Sequence, residues 1–317
     1  MTKRVSILNY LIQKKNLPIS KLFTNFDTSL IKLSANTLED IQNLKEKIIS
    51  IQVKYNLDEK EALKTGLKIK IKHSGLFQCT SCKKNIKKLF EGFCFPCFKK
   101  KASADRCIMS PNLCHYNLGT CREPLWGEEY CYQPHYVYLS YTDKFKVGIT
   151  RQTQIPTRWI DQGASSAALL AKVTSRHQAG IIEHNLKEIL HDKSHWLNML
   201  KNGNKRPSLE EFQDKISFIF NWIKQNEIFQ NKEIIVDTPA HLKLSDQIEY
   251  FHSPVIVNLN YDIPSEVLKF KSINLDKSSE IEGIITGIKG QYIFLGENVF
   301  NMRRHEGYIV DLDLEEI

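Results

Sequence analysis

Several common features are missing from this 317-residue chain. No apolar run approaches the roughly 20 residues needed to cross a bilayer as a helix, so a membrane-spanning protein is not expected. The opening stretch, MTKRVSILNYLIQKKN, has basic residues and a short apolar run. Lys14 and Lys15 interrupt that run and no small-residue cleavage site follows, so no signal peptide is expected and the expected compartment is the cytoplasm. There is no internal repeat and no low-complexity tract, which argues against a solenoid or a disordered chain. No cysteine lies outside 79–131, where all eight are found. In a reducing compartment such clustered thiols read as metal ligands before disulfides.

What is present is ordinary globular composition, 42% hydrophobic and 25% charged, with a net charge of +8 and a pI near 8.9. The length fits two or three domains. Hydrophobic periodicity predicts an α+β protein. Residues 1–50 read as helical, with Ser34 or Asn36 as a cap before an apolar stripe at Leu38, Ile41, Leu44 and Ile48. IISIQVKYNL and GLKIKIKHSG alternate like strands. PTRWIDQGA predicts a short helix between Pro156 and Gly163, and 176–191 a longer one with Ile182, Leu186, Ile189 and Leu190 on one face. Ser208 with Glu211 is a capping box ahead of another helix. From Glu233 onward short strands and Gly or Asp/Asn turns predict a small β-rich C-terminal domain. The expected segments are a helical 1–50, a basic cysteine region at 51–131, an α/β core at 132–203 and a helix with the β-rich domain at 204–317.

Cys79, Cys82, Cys94 and Cys97 form two C-x2-C knuckles separated by eleven residues. Each knuckle presents two thiolates from one turn, and two knuckles close a tetrahedron around Zn²⁺; an iron–sulfur cluster satisfies the same spacing. Four thiolates leave zinc no open position, so this ion is expected to be structural. Cys107, Cys114, Cys121 and Cys131 are irregularly spaced, with His115 and His135 close by, and are expected to form a second, zinc-ribbon-like site. Which histidine joins, if either, is open.

Ten lysines stand between 68 and 101 against one acid, Glu91, and this surplus exceeds the net charge of the whole chain. Lysine phosphate contacts give salt-dependent affinity with little sequence information. Lys83, Lys84, Lys87 and Lys88, with Arg122 and Arg151 further along, are the expected nucleic-acid contacts. Phe90, Phe93, Phe95 and Phe98 are interleaved, either to stack bases or to pack around the metal.

In HYVYLSYTDKFKVGITRQTQIPTRWIDQGA a strand turns at Thr142-Asp143, returns as KVG, and delivers the chain to an arginine in the next helix. This pattern resembles the core of the GIY-YIG nucleases, in the branch whose second motif reads K-[IV]-G-x-T. The resemblance implies that Tyr138 takes the place of the first tyrosine and helps activate water, that Gly148 closes the second motif, and that Arg158 stabilises phosphorane charge. It also implies that Glu183 holds a catalytic Mg²⁺ or Mn²⁺. Lys146 stands where the second tyrosine belongs, so it joins Tyr138, Arg158 and Glu183 as a candidate catalytic residue, contacting a phosphate or lowering a nearby pKa. Each also has a plain structural use: Glu183 paired with Lys187, Arg158 with Asp161 or Asp192, and Tyr138 packed on its strand. GTCREPLWGEEYC, KVGIT, PTRWIDQGA and GIKGQYI are also similar to a bacterial family known chiefly as a domain of unknown function, from about residue 50 onward. Arg122, in CREPLWGEE, is expected to line the same cleft or to pair with Glu123 or Glu128. The expected function is nucleic-acid binding with a metal-dependent endonuclease site. The alternative is a non-cleaving binding or modification factor for structured RNA such as tRNA.

Overall fold

In Leu67–Gln78, Leu67, Ile69 and Ile71 are buried while Lys68, Lys70 and Lys72 take the other face, a period of two that only a strand can satisfy. The structure, a computed structural model, describes residues 11–27, 48–57, 61–190, 195–226, 248–264 and 269–317. It is α+β, and the chain divides into two units: Met1–Asn25, Lys54–Phe95 and Tyr261–Ile317 in one, Phe26–Val53 and Pro96–Asn260 in the other.

In the first unit Leu67–Gln78 lies between Tyr308–Glu316 and Glu280–Ile284, both antiparallel to it, and Leu11–Pro18 pairs with the outer side of Tyr308–Glu316. The register puts an acid opposite each of the three lysines. Lys68, Lys70 and Lys72 face Glu315, Asp313 and Asp311 on one side, and Lys70 and Lys72 face Glu282 and Glu280 on the other. Lys68 reaches Glu282 at 2.7 Å and Lys70 reaches Glu280 at 2.9 Å. These lysines therefore serve cross-strand pairing, and the basic surplus read along the chain narrows to the lysines from 83 onward. A four-stranded sheet of Lys271–Ile273, Asn298–Asn301, Tyr292–Leu295 and Gly287–Lys289 makes the C-terminal part β-rich, as the periodicity predicts.

The N-terminal reading needs correction. Leu11–Pro18 and Phe23–Asp27 are strands, not helix. Leu11–Pro18 gains a ladder along Tyr308–Glu316, and a partner at the far end of the chain overrides the weak local helix preference. The stripe at Leu38, Ile41 and Leu44, with its caps, lies outside the described residues. Ile48 begins a strand, Ile48–Asn56, whose burial alternates as expected.

The second unit is built on a sheet in which Ile48–Asn56 pairs parallel with Ile256–Asn260. Ile256–Asn260 in turn pairs with Ser166–Val173, then His135–Tyr141, then Phe145–Arg151, all antiparallel. His135–Tyr141 and Phe145–Arg151 are the predicted hairpin. The helices Arg176–Leu186 and Leu209–Gln225 lay Ile182, Leu186, Phe212, Ile216 and Ile219 against Val137, Leu139, Val147 and Leu170 of the sheet. The core thus fixes one face of the hairpin, while Trp159 and Ile160 bury the short helix Thr157–Asp161. The capping box is formed: Ser208 Oγ accepts from Glu211 N at 3.1 Å, and Glu211 Oε2 accepts from Ser208 N at 2.7 Å. Ser208→Ala is expected to lower stability by about 1 kcal/mol in urea unfolding, with Ser208→Asp close to wild type.

Candidate functional site

Tyr138 and Gly148 face each other across the hairpin. A Cβ on Gly148 would stand 2.5 Å from the Tyr138 hydroxyl oxygen and 2.6 Å from Cζ, so the ring crosses the glycine and leaves no room for a side chain there. The ring packs edge-on to Trp159, with centroids 6.0 Å apart, and its hydroxyl donates to Gln162 Oε1 at 2.8 Å. The short helix that carries Trp159 and precedes Gln162 also carries Arg158, whose charge acts on the same hydroxyl. Burial raises the Tyr138 pKa and the Glu183 carboxylate adds to the rise, while Arg158 and Gln162 oppose it. Lys146, 8% exposed, is pushed down to about 8, first by burial and then by the Arg158 charge, with Asp143 opposing. Tyr138 and Lys146 stand on the two strands of the hairpin, Arg158 and Glu183 on two helices of the same unit; the charges of Arg158 and Glu183 act on Tyr138, and that of Arg158 on Lys146. Tyr138 itself is wholly buried. Glu183 also makes the plain structural pair, 3.8 Å from Lys187. Asp192, one expected partner of Arg158, lies outside the described residues.

Two residues of this constellation were not identified from sequence. Gln162 lies within PTRWIDQGA, yet only the fold shows that it meets Tyr138. Arg176 opens the helix Arg176–Leu186 just after its cap, Ser175. Its charge acts on Cys131, Arg158, Cys107 and Glu183, and burial holds its pKa down. A cation at a helix N-terminus opposes the macrodipole, and that mismatch was the readable signal.

The cysteine region has almost no apolar core. Between 80 and 131 only Ala102, Pro111 and Gly127 are buried. The longest helix there is the seven residues Pro124–Tyr130. Cys79, Cys82, Cys94 and Cys97 have sulfurs within 4.8 Å of one another, close enough for one ion. The knuckle is shaped by left-handed backbone at Lys83 and Glu91, and Thr80 donates both N–H and hydroxyl to Gly92 O. Burial alone would raise the Cys79 thiol, but hydrogen bonds from the backbone of Cys94, Cys82 and Ser81 outweigh it and bring it down to about 6. A thiol this acidic, ringed by three more, fits a four-thiolate ion.

Cys107, Cys114, Cys121 and Cys131 all line one small cavity together with Asp105, His115 and Arg122. Burial first, then Asp105 and neighbouring thiols, pushes Cys107 up to about 12, and burial pushes Cys131 up to about 11. His135 does not line this cavity; its Nδ1 bonds to Gln133 O at 2.7 Å.

The basic residues divide. Lys83, Lys84, Lys87 and Lys88 are all exposed on the first cysteine module, with Lys88 over the Phe90 ring at 5.1 Å and Phe95 51% exposed beside that ring. Arg122 does not join Tyr138. Its Nε pairs with Asp105 at 2.6 Å and its Nη1 donates to Phe98 O at 2.9 Å, so its guanidinium ties the segment just after Cys97 to the second cysteine group. Of the two partners expected from sequence, Glu123 bonds Lys101 and Ala102 N, and Glu128 accepts from the Tyr116 hydroxyl. Arg151 lies over the Tyr130 ring at 5.5 Å, opposite His135 in the hairpin.

A family described as "Protein of unknown function (DUF2797)" matches residues 66–310, most of the chain. No curated protein and no solved structure matches it. No helix among the described residues is long and apolar enough to cross a membrane.

Lys146 gives a test of the site's cost to folding. Its folded pKa, about 8, lies below the usual 10.5. The unfolded state therefore holds the proton more tightly, and the charged lysine destabilises the fold below about pH 8. That penalty fades as the pH climbs from there toward the unfolded value. Lys146→Met is expected to stabilise the protein near neutral pH by on the order of 2 kcal/mol, with the gain shrinking toward pH ~10, as read by denaturant unfolding.

Proposed function

The chain belongs to the DUF2797 family, and we propose that it is a nucleic-acid-binding protein with a GIY-YIG-like, divalent-metal-dependent phosphodiester-cleaving site and two structural zinc ions. The observation that carries this reading is the convergence of Tyr138, Arg158, Lys146 and Glu183 at one hairpin, with more positive than negative charge among them. Hydrolysis of a phosphodiester needs a proton acceptor, a cation for the developing charge and a metal ligand, and these residue types supply them. Arg158 offers the guanidinium for a phosphoryl oxygen. The Tyr138 hydroxyl, already hydrogen-bonded by Gln162, is the group placed to hand on a proton. Lys146, near its own midpoint at about pH 8, contacts phosphate when charged. Glu183 would hold the Mg²⁺ or Mn²⁺, which when bound would supply charge stabilisation at the phosphate. With one carboxylate from the chain, the other oxygen ligands would be water and substrate, which suits Mg²⁺.

The exposed lysines 83, 84, 87 and 88 provide sequence-independent grip on phosphates, with the Phe90 and Phe95 rings available for stacking. Zinc held by Cys79, Cys82, Cys94 and Cys97, and a second zinc at Cys107, Cys114, Cys121 and Cys131, replace the core this region lacks.

One observation favours a second reading. Tyr138 is wholly buried, and Lys146 takes the place of the second tyrosine, which suits a factor that holds a backbone of structured RNA such as tRNA without cutting it. The test is incubation with single- and double-stranded DNA and RNA, tRNA included, in Mg²⁺, in Mn²⁺ and in chelator, beside Glu183→Ala. Metal-dependent nicking that the variant loses is the expected result. No cleavage, with salt-sensitive binding retained by both proteins, would establish the second reading in its place.

A further inference from the structure

The second cysteine group is docked on the helix that carries Glu183. The backbone N–H of Arg176 donates to Cys131 O at 2.8 Å, and its Nη2 donates to Ile108 O, beside Cys107, at 2.6 Å. One turn on, a Cβ at Gly180 would meet Pro111 Cβ at 2.5 Å and Asn112 N at 2.7 Å, so the segment between Cys107 and Cys114 lies directly on the helix backbone. His177 Nε2 lies 3.3 Å from Asn112 O. We propose that Cys107, Cys114, Cys121 and Cys131 are the four ligands of a metal centre that anchors the start of helix Arg176–Leu186. Occupancy of that centre sets the position of Glu183, and Arg176 is the positioning residue that joins the two.

Two observations support the four-sulfur ligand set. All four cysteines line the same small cavity. The competing set, Asp105, Cys107 and His115, lies within 4.8 Å, but its members have other work. Asp105 caps the helix Arg106–Met109 by accepting from Cys107 N and pairs with Arg122, and His115 Nδ1 is 2.8 Å from Thr120 Oγ1. The carboxylate and imidazole thus already have partners, and all four cysteines share the cavity lining.

Arg176 has a reason to want the centre filled. Its Nε–H is buried and has no hydrogen-bond partner among the described residues. A divalent ion bound by four thiolates is a net negative body, and it would offset a buried guanidinium that neutral thiols leave uncompensated. Metal loss would thus loosen the helix start.

The test rests on the two-zinc reading but not on cleavage, so it can fail or succeed whatever the nuclease assay gives. Zinc per chain is measured for the whole protein, together with hydrogen exchange of the Arg176–Leu186 amides. Cys121→Ser is expected to lose one zinc equivalent and to speed exchange in that helix. Cys82→Ser is expected to lose the other zinc and leave the helix amides unchanged. Arg176→Ala is expected to weaken the second zinc about tenfold, with Arg176→Lys recovering part of the loss. Full zinc content in Cys121→Ser would overturn the ligand set in favour of Asp105, Cys107 and His115. Loss of that zinc with unchanged helix exchange would overturn the anchoring. Should Cys121→Ser not fold, stepwise chelation of the wild-type protein gives the same reading: helix exchange must rise as the second equivalent leaves and not otherwise.

Discussion

Positive charge enclosed with too little carboxylate to balance it is the constraint on which the second unit turns. Lys146 is buried, Arg158 and Arg176 are half-buried, and the carboxylates acting on Lys146 and Arg176 are those of Asp143 and Glu183. A fold selected for stability alone would place apolar groups at such positions, since an enclosed charge is costly unless well paired. Here the depressed pKa of Lys146 records that cost. The cations persist because the hairpin and its two helices over-determine them. Tyr138 lies across Gly148, Gln162 fixes its hydroxyl, and Trp159 wedges the arginine-bearing helix against the ring. An arrangement that retains unbalanced charge at such expense suits an anion, and on the proposed reading that anion is a phosphate.

A second constraint governs the cysteine region. With three buried residues between 80 and 131, this segment cannot be held by hydrophobic burial. Its order comes from tight turns, from the Arg122–Asp105 and Lys101–Glu123 pairs, and from clustered sulfurs. The two sulfur groups differ in kind. Backbone N–H groups already favour the thiolate of Cys79, whereas burial keeps Cys107 and Cys131 protonated until a cation offsets it.

The features legible in the sequence were those fixed by local spacing. The C-x2-C knuckles close on one another because each is a single turn. The capping box needs only Ser208 and Glu211 three residues apart. The hairpin followed from alternation about a turn. What escaped depended on partners distant in sequence. Leu11–Pro18 is a strand because Tyr308–Glu316 offers it an edge, and Lys68 and Lys70 look like a nucleic-acid footprint until Glu280 and Glu282 arrive beside them. Arg122 was assigned to the cleft on closeness in sequence, but Asp105 claims it. Arg176 is not legible in the sequence because its meaning lies in what it touches, Cys131 and Ile108, both distant along the chain.

The central claim, that the uncompensated charge at the hairpin receives a nucleic-acid phosphate, is tested most directly by the salt dependence of affinity. Binding of single-stranded RNA and DNA would be titrated across a range of salt for the wild type and for Arg158→Gln. The account predicts weaker binding by the variant at low salt and a slope of log affinity against log salt shallower by about 0.7, the change that follows when one phosphate is no longer neutralised. Equal slopes and equal affinities for the two proteins would contradict it and leave the enclosed cations of the hairpin to a purely structural role.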